Sequence, residues 1–143
     1  MTFDESTTVL AIILANYQTH FKNFSEDNAM AVATTWSIAF ADIPFEIVYI
    51  AVLRWIDEKE HPPKICQIKQ EISRTLYYEA KDVLDNHKKN KNLSEKAVAK
   101  YESIFKVAQQ MRSNKYELTL SKFINDDGNY LLLESTGKER LLE

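Results

Sequence analysis

The chain has 143 residues, 45% of them hydrophobic and 27% charged, a size and mix that suit one folded domain with an appendage and exclude a wholly disordered protein or separate cofactor and substrate modules. Only 2 Gly and 3 Pro are present, too few for a glycine-rich phosphate loop or for the many tight turns of a sandwich or barrel. The formal net charge of −3 excludes a uniformly basic nucleic-acid-binding surface, but it averages three unlike stretches: 3 basic against 9 acidic residues over 1–60, 13 against 7 over 61–122, and 2 against 5 over 123–143.

The first predicted helix starts at Ser6-Thr7-Thr8, any of which can act as N-cap, and runs to about Lys22, with Val9, Leu10, Ile13, Leu14, Tyr17 and Phe21 along one side. Ser25 offers the next N-cap, with Glu26 and Asp27 in the first turn where they complement the helix dipole, and this helix extends to about Ala41. Pro44 suits a helix start, because its missing N–H would be unpaired there. The third helix therefore runs from Pro44 to about Lys59, with Phe45, Val48, Tyr49, Val52, Leu53 and Ile56 as its apolar stripe and Trp55 beside it.

His61-Pro62-Pro63 breaks the chain, and Ile65, Ile68, Ile72 and Leu76 then resume helical spacing in a fourth helix from Lys64 to Leu84. The polar, basic run Asp85 to Asn92 reads as a loop. Ser94 and Glu95 open a fifth helix ending near Arg112, and Asn125-Asp126-Asp127-Gly128 reads as a turn. Tyr116 to Leu120 reads as loop or short helix, since one strand would lack a partner. The expected fold is all-α: a small bundle of four to five helices with a weakly ordered C-terminal tail. Its expected divisions are a helical domain over 1–84, a basic linker and additional helix over 85–113, and the tail over 114–143.

Little in the chain suggests catalysis. Glu46, Asp57, Glu58 and Glu60 fall outside the apolar stripe of their helix and read as a solvated face, and no His, Cys or carboxylate spacing fits a metal. Lone Cys66 reads as a small half-buried residue in a reducing compartment, and His20, His61 and His87 sit at predicted helix ends or loops without a nucleophile placed beside them. Neither a secretion signal nor a membrane span is expected, since the apolar run Val9 to Ala15 is too short. A cytoplasmic protein that is not an enzyme, with no catalytic residues, cofactor or metal, is the expectation.

The basic stretch offers a different chemistry. Lys81, Lys88, Lys89, Lys91, Lys96, Lys100 and Lys106, interleaved with Tyr77, Tyr78 and Tyr101, have the composition of a single-stranded nucleic-acid surface. Lys88, Lys89, Lys91, Lys96 and Lys100 are its candidate contacts. The alternative is a solvated face whose lysines pair with Glu79, Asp82, Asp85, Glu95 and Glu102 at helical spacing.

From Trp36 to Ile72 the chain reads WSIAFADIPFEIVYIAVLRWIDEKEHPPKICQIKQEI. A helix with Trp36 and hydrophobics, an acidic turn at Asp42, the pattern Glu46-x-Val48-x-x-Ala51-x-x-x-Trp55-Ile56, and Pro62-Pro63 before Ile65 and Ile68 follow in order. The stretch resembles the N-terminal domain of the replicative helicase loader/inhibitor proteins of phages that infect Gram-positive bacteria. That resemblance implies a small helical domain and a weakly ordered C-terminal region that contacts the hexameric DnaB-type helicase. It further implies a protein that blocks the helicase while bound and delivers it to replication-origin DNA with an initiator protein. Ser94 to Arg112 departs from the pattern, since it reads as a well-formed helix where the family would have a looser tail. Within the tail, Tyr130, Leu131, Leu132, Leu133, Leu141 and Leu142 offer apolar anchors for a partner surface, unless they pack back on the domain. A DNA-binding replication or regulatory protein using residues 81–106 is the alternative function.

Overall fold

A computed structural model describes residues 1–114 and 118–130. It is all-α, with helices α1 (Phe3–Asn16), α2 (Glu26–Ala39), α3 (Phe45–Glu58), α4 (Ile65–Gln70), α5 (Tyr77–Asn90) and α6 (Glu95–Asn114). A π-helical segment, Glu71–Leu76, joins α4 to α5 without a break, and short 3-10 turns occupy Gln18–Phe21 and Leu120–Lys122. Two compact units result: Met1–Ile65 with residues 118–130, and Cys66–Tyr116. The expected tail beyond Tyr130 lies outside the described residues.

In the first unit, α1 packs on both α2 and α3. It begins earlier than the Ser/Thr cluster suggests. Thr2 is the N-cap: its hydroxyl accepts from the Glu5 N–H at 3.2 Å while the Glu5 carboxylate accepts from the Thr2 N–H at 2.8 Å, a reciprocal capping box. Inside the helix, Thr7 and Thr8 donate instead to the carbonyls of Phe3 and Asp4. Ser6 is buried, and its hydroxyl oxygen finds no hydrogen-bond partner among the described residues. α1 also ends at Asn16 rather than near Lys22, with the 3-10 turn following.

Ser25 caps α2 as expected, its hydroxyl accepting from the Asn28 N–H at 3.1 Å. At the far end no glycine is available to satisfy the last carbonyls, and the ammonium of Met1 does so. It donates to the carbonyls of Phe40 at 2.9 Å, Ala41 at 3.3 Å and Ile43 at 2.9 Å, placing a positive charge at the negative end of the helix. Burial holds this amine below its ordinary pKa, against the opposing pull of Glu5 and Asp42.

α3 starts after Pro44, but its buried face is rotated from the expected stripe: Ile47, Val48, Ala51, Val52 and Trp55 are inside, whereas Leu53 is 42% exposed. Glu46, Arg54, Asp57 and Glu58 cluster on one side, so spacing marks the apolar side broadly without fixing its centre, which lies nearer Ile47 and Ala51 than the stripe suggests. Trp55 lies on the buried side. Trp55 Nε1 donates to the His61 carbonyl at 2.7 Å, which requires the ring to turn inward toward the chain leaving α3. Tyr17, also buried, donates its hydroxyl to the Lys59 carbonyl at 2.9 Å. Two aromatic donors thus fix the backbone that leads into Pro62 and the buried Pro63.

In the second unit, α6 runs back along α5 and the π segment as an antiparallel hairpin. Arg112 reaches Ser73, Phe105 stacks on Tyr77, and Leu93 meets His87. Ile68, Ile72, Leu76 and Ala80 are all buried at a strict spacing of four. In a plain α-helix such a row drifts by roughly 40° per step; the wider π turn between them takes up that drift. The loop expected over Asp85 to Asn92 is instead helical as far as Asn90. Its polar residues sustain the helix: Asn90 donates to the Asn86 side chain at 2.7 Å, and His87, Lys88 and Lys89 place basic groups in the last turn.

Candidate partner-binding surfaces

The carboxylates Glu46, Asp57, Glu58 and Glu60 are all exposed, as are His20 and His61; Cys66, expected to be half-buried, is exposed instead, one residue into the short helix α4. No group of His, Cys, Asp or Glu among the described residues has the arrangement of a metal site. Among them, too, no helix is long and apolar enough to cross a membrane. What the two units do present is one apolar surface and one basic surface.

The apolar surface lies on the first unit, along residues 118–130. Leu120 is 77% exposed and Tyr130 60%, with Leu118 and Ile124 also open to solvent. The segment is shaped by local bonds. Asn125 accepts on its side chain from the N–H groups of Asp127 and Asn129, and on its carbonyl from Gly128, whose φ of +81° suits only glycine well. An isolated bridge pairs Ile124 with Tyr130. Lys122, nearly buried, is joined to Asp42 at 3.1 Å. Of the expected anchors, Tyr130 is therefore exposed at the end of this turn, while Leu131, Leu132, Leu133, Leu141 and Leu142 lie outside the described residues. Leu118 and Leu120 are not among the anchors expected from the sequence; the alternation from Tyr116 to Leu120 is the signal that could have found them.

The basic surface lies on the second unit, where α5 turns into α6. Lys88 and Lys89 end α5, Lys91 is its C-cap, and Lys96 and Lys100 lie in the first turns of α6; all five are exposed. Lys91 is the only non-glycine residue with positive φ among those described, at 46°, and its N–H donates to the His87 carbonyl at 2.7 Å. The imidazole Nδ1 of His87 accepts from the Leu93 N–H at 3.2 Å, closing the turn. Among the described residues, none of the five lysines takes part in an ion pair, and Asp85, Glu95 and Glu102 close none with them.

The same hairpin carries aromatic faces. Tyr77 stacks on Phe105 at 5.2 Å between ring centres, and the Arg112 guanidinium lies 4.6 Å from the centre of Tyr77 and 5.0 Å from that of Tyr78. In the π turn the Tyr77 N–H bonds the carbonyls of Ile72 and Arg74, passing over that of Ser73, toward which Arg112 Nη1 donates at 3.4 Å. Tyr78 remains 51% exposed.

Comparison with known proteins bears on the first unit. Residues 1–69 match the family model for the N-terminal domain of the helicase loader/inhibitor of phage SPP1. No curated protein and no solved structure matches the chain. The matched span takes in α1, α2, α3 and the Pro62-Pro63 turn, and it stops short of the α5–α6 hairpin.

Proposed function

With a domain of the helicase loader/inhibitor type as its first 69 residues, we propose that the protein is a phage or prophage DNA-replication accessory factor without enzymatic activity of its own. It binds the hexameric DnaB-family helicase of the bacterial host in the host cytoplasm, inhibits it while bound, and loads it at the origin together with a phage initiator protein. The match over α1 to α3 carries this reading. The segment at 118–130 supports it, because Leu118, Leu120, Ile124 and Tyr130 are all left open to solvent there, apolar area that a protein partner can bury. Tyr130, with Leu131, Leu132, Leu133, Leu141 and Leu142, supplies the anchors that the helicase surface buries.

Co-elution of the full chain with a DnaB-family helicase hexamer in the presence of nucleotide is the direct test, followed by the helicase's ATPase and unwinding rates. A stoichiometric complex with lowered rates is expected. Changing Tyr130 and Leu131 to Leu133 to serine should abolish capture while leaving the helical signal of the protein intact. Absence of any complex with the cognate helicase would refute the reading, and unchanged capture by the serine variant would move the contact away from these anchors.

A further inference from the structure

Five exposed lysines at one end of a hairpin have an ordinary explanation only in part. A helix C-terminus attracts cations, which accounts for Lys88 and Lys89 in the last turn of α5. It does not account for the other three. Lys91 occupies the left-handed region, where a side chain with a Cβ is disfavoured and Gly or Asn is the usual choice; Asn90 and Asn92 stand on either side of it. Lys96 lies in the first turn of α6, the positive end of the helix, where an acidic residue would be favoured. Lys96 and Lys100 are like charges at i and i+4, a mutually repelling pair. Among the described residues no ion pair offsets any of this, and Glu95 is the only acidic residue in the sequence between Asn86 and Lys100.

Charge kept against local stability calls for an anion from outside. The chemistry of the rest of the hairpin indicates which kind. Tyr78 and Lys89 are eleven residues apart on the regular helix α5 and so share a face, separated by roughly 16 Å along the axis. Tyr78 is half exposed, with Arg112 against its ring. A duplex presents phosphates to such a surface but keeps its base faces stacked; a single strand presents both. We infer that the α5–α6 hairpin binds single-stranded nucleic acid, with Lys88, Lys89, Lys91, Lys96 and Lys100 along the phosphates and Tyr78 stacked on a base. Asp85, on the same face between Tyr78 and Lys89, opposes this binding and limits its strength.

The test is fluorescence anisotropy of a labelled oligothymidylate with the full-length protein over a series of salt concentrations. Binding at low salt is expected, with log K falling against log salt at a slope of up to about −3.5 if all five lysines meet phosphates. The variant K88Q/K89Q/K91Q should bind at least about tenfold more weakly with a slope shallower by about 2. Tyr78→Ala should weaken binding by about fivefold or more without changing the slope. Asp85→Asn should tighten it. Lys91→Asn separates function from folding, since it should raise the melting temperature while lowering affinity. No binding at low salt, equal or tighter binding to a duplex of the same length, or indifference to the lysine changes would overturn the inference. Helicase capture should be the same for all these variants, so failure here and failure of the loader reading are separately visible.

Discussion

The two units use aromatic side chains in opposite ways. In Met1–Ile65 the polar tips of Tyr17 and Trp55 point inward and hold backbone carbonyls at Lys59 and His61. In Cys66–Tyr116 the rings of Tyr77 and Tyr78 lie on the hairpin surface beneath Arg112, and Tyr78 is half open to solvent. Charge divides along the same line, acidic over 1–60 and basic over 61–122. A buried donor that fixes a turn serves shape, because its loss leaves a strained or unpaired backbone. A ring half open to solvent contributes little to shape and remains available to a partner.

That contrast can be broken by substitution. Trp55→Ala should cost about 3–5 kcal/mol in urea denaturation, whereas Tyr78→Ala should cost under about 1 kcal/mol; similar losses would erase the distinction. Tyr17→Phe removes one buried hydrogen bond and should cost about 1 kcal/mol. The same residue gives a pH signature. Burial raises the Tyr17 pKa above the ordinary 10.0 of a phenol, so its contribution is fully present below that value and is lost as pH climbs through the higher folded pKa. Tyr17→Phe should flatten this alkaline decline.

Ser6→Ala should move the other way, stabilising the protein by about 1 kcal/mol, because it deletes a buried hydroxyl that has no partner among the described residues. A loss of stability there would mean that the hydroxyl is satisfied after all. The smallest effect belongs to Met1, whose amine is held below its ordinary 8.0 by burial. The unfolded chain binds more protons in the window just below that value, so stability should rise slightly with pH across it and stay flat in an N-acetylated protein.

Much of the first unit is legible in the sequence because a few residue types leave little choice. Ser25 with two acids behind it, Pro44, and Pro62-Pro63 each mark a boundary that the structure keeps to within a residue or two. The start of α1 is harder to read, because Ser6, Thr7 and Thr8 have the chemistry of caps while the pair Thr2 and Glu5 carries the reciprocal bonds. The side of α3 that turns inward is readable from its four polar residues, but the centre of the buried face is not, because apolar residues such as Ile47, Tyr49 and Leu53 flank it on both edges. In the second unit, Asp85 to Asn90 looks like a loop by polarity alone, but its cations suit a helix end and α6 packs along it. For the candidate surfaces, the lysines can be named from the sequence; their freedom from ion pairs cannot, because that depends on rotamers and on the turn at Lys91. Leu118 and Leu120 carry a faint signal in the alternation from Tyr116 to Leu120, but that they and Ile124 are left outside shows only in the folded chain.

The π segment has a consequence for how the length of this chain can vary. Insertions and deletions are ordinarily tolerated in loops and damaging in helices, where each residue rotates everything beyond it by about 100°. Glu71–Leu76 is a helix whose residue count is itself matched to the packing: the row Ile68, Ile72, Leu76 and Ala80 stays in line only because the turn between them is wide. Deleting Ser73 would restore ordinary pitch and yet throw Ile68 about a quarter turn or more away from the line of Leu76 and Ala80. A one-residue deletion that improves the helix should therefore damage the protein, and homologous chains of different length should carry their differences elsewhere.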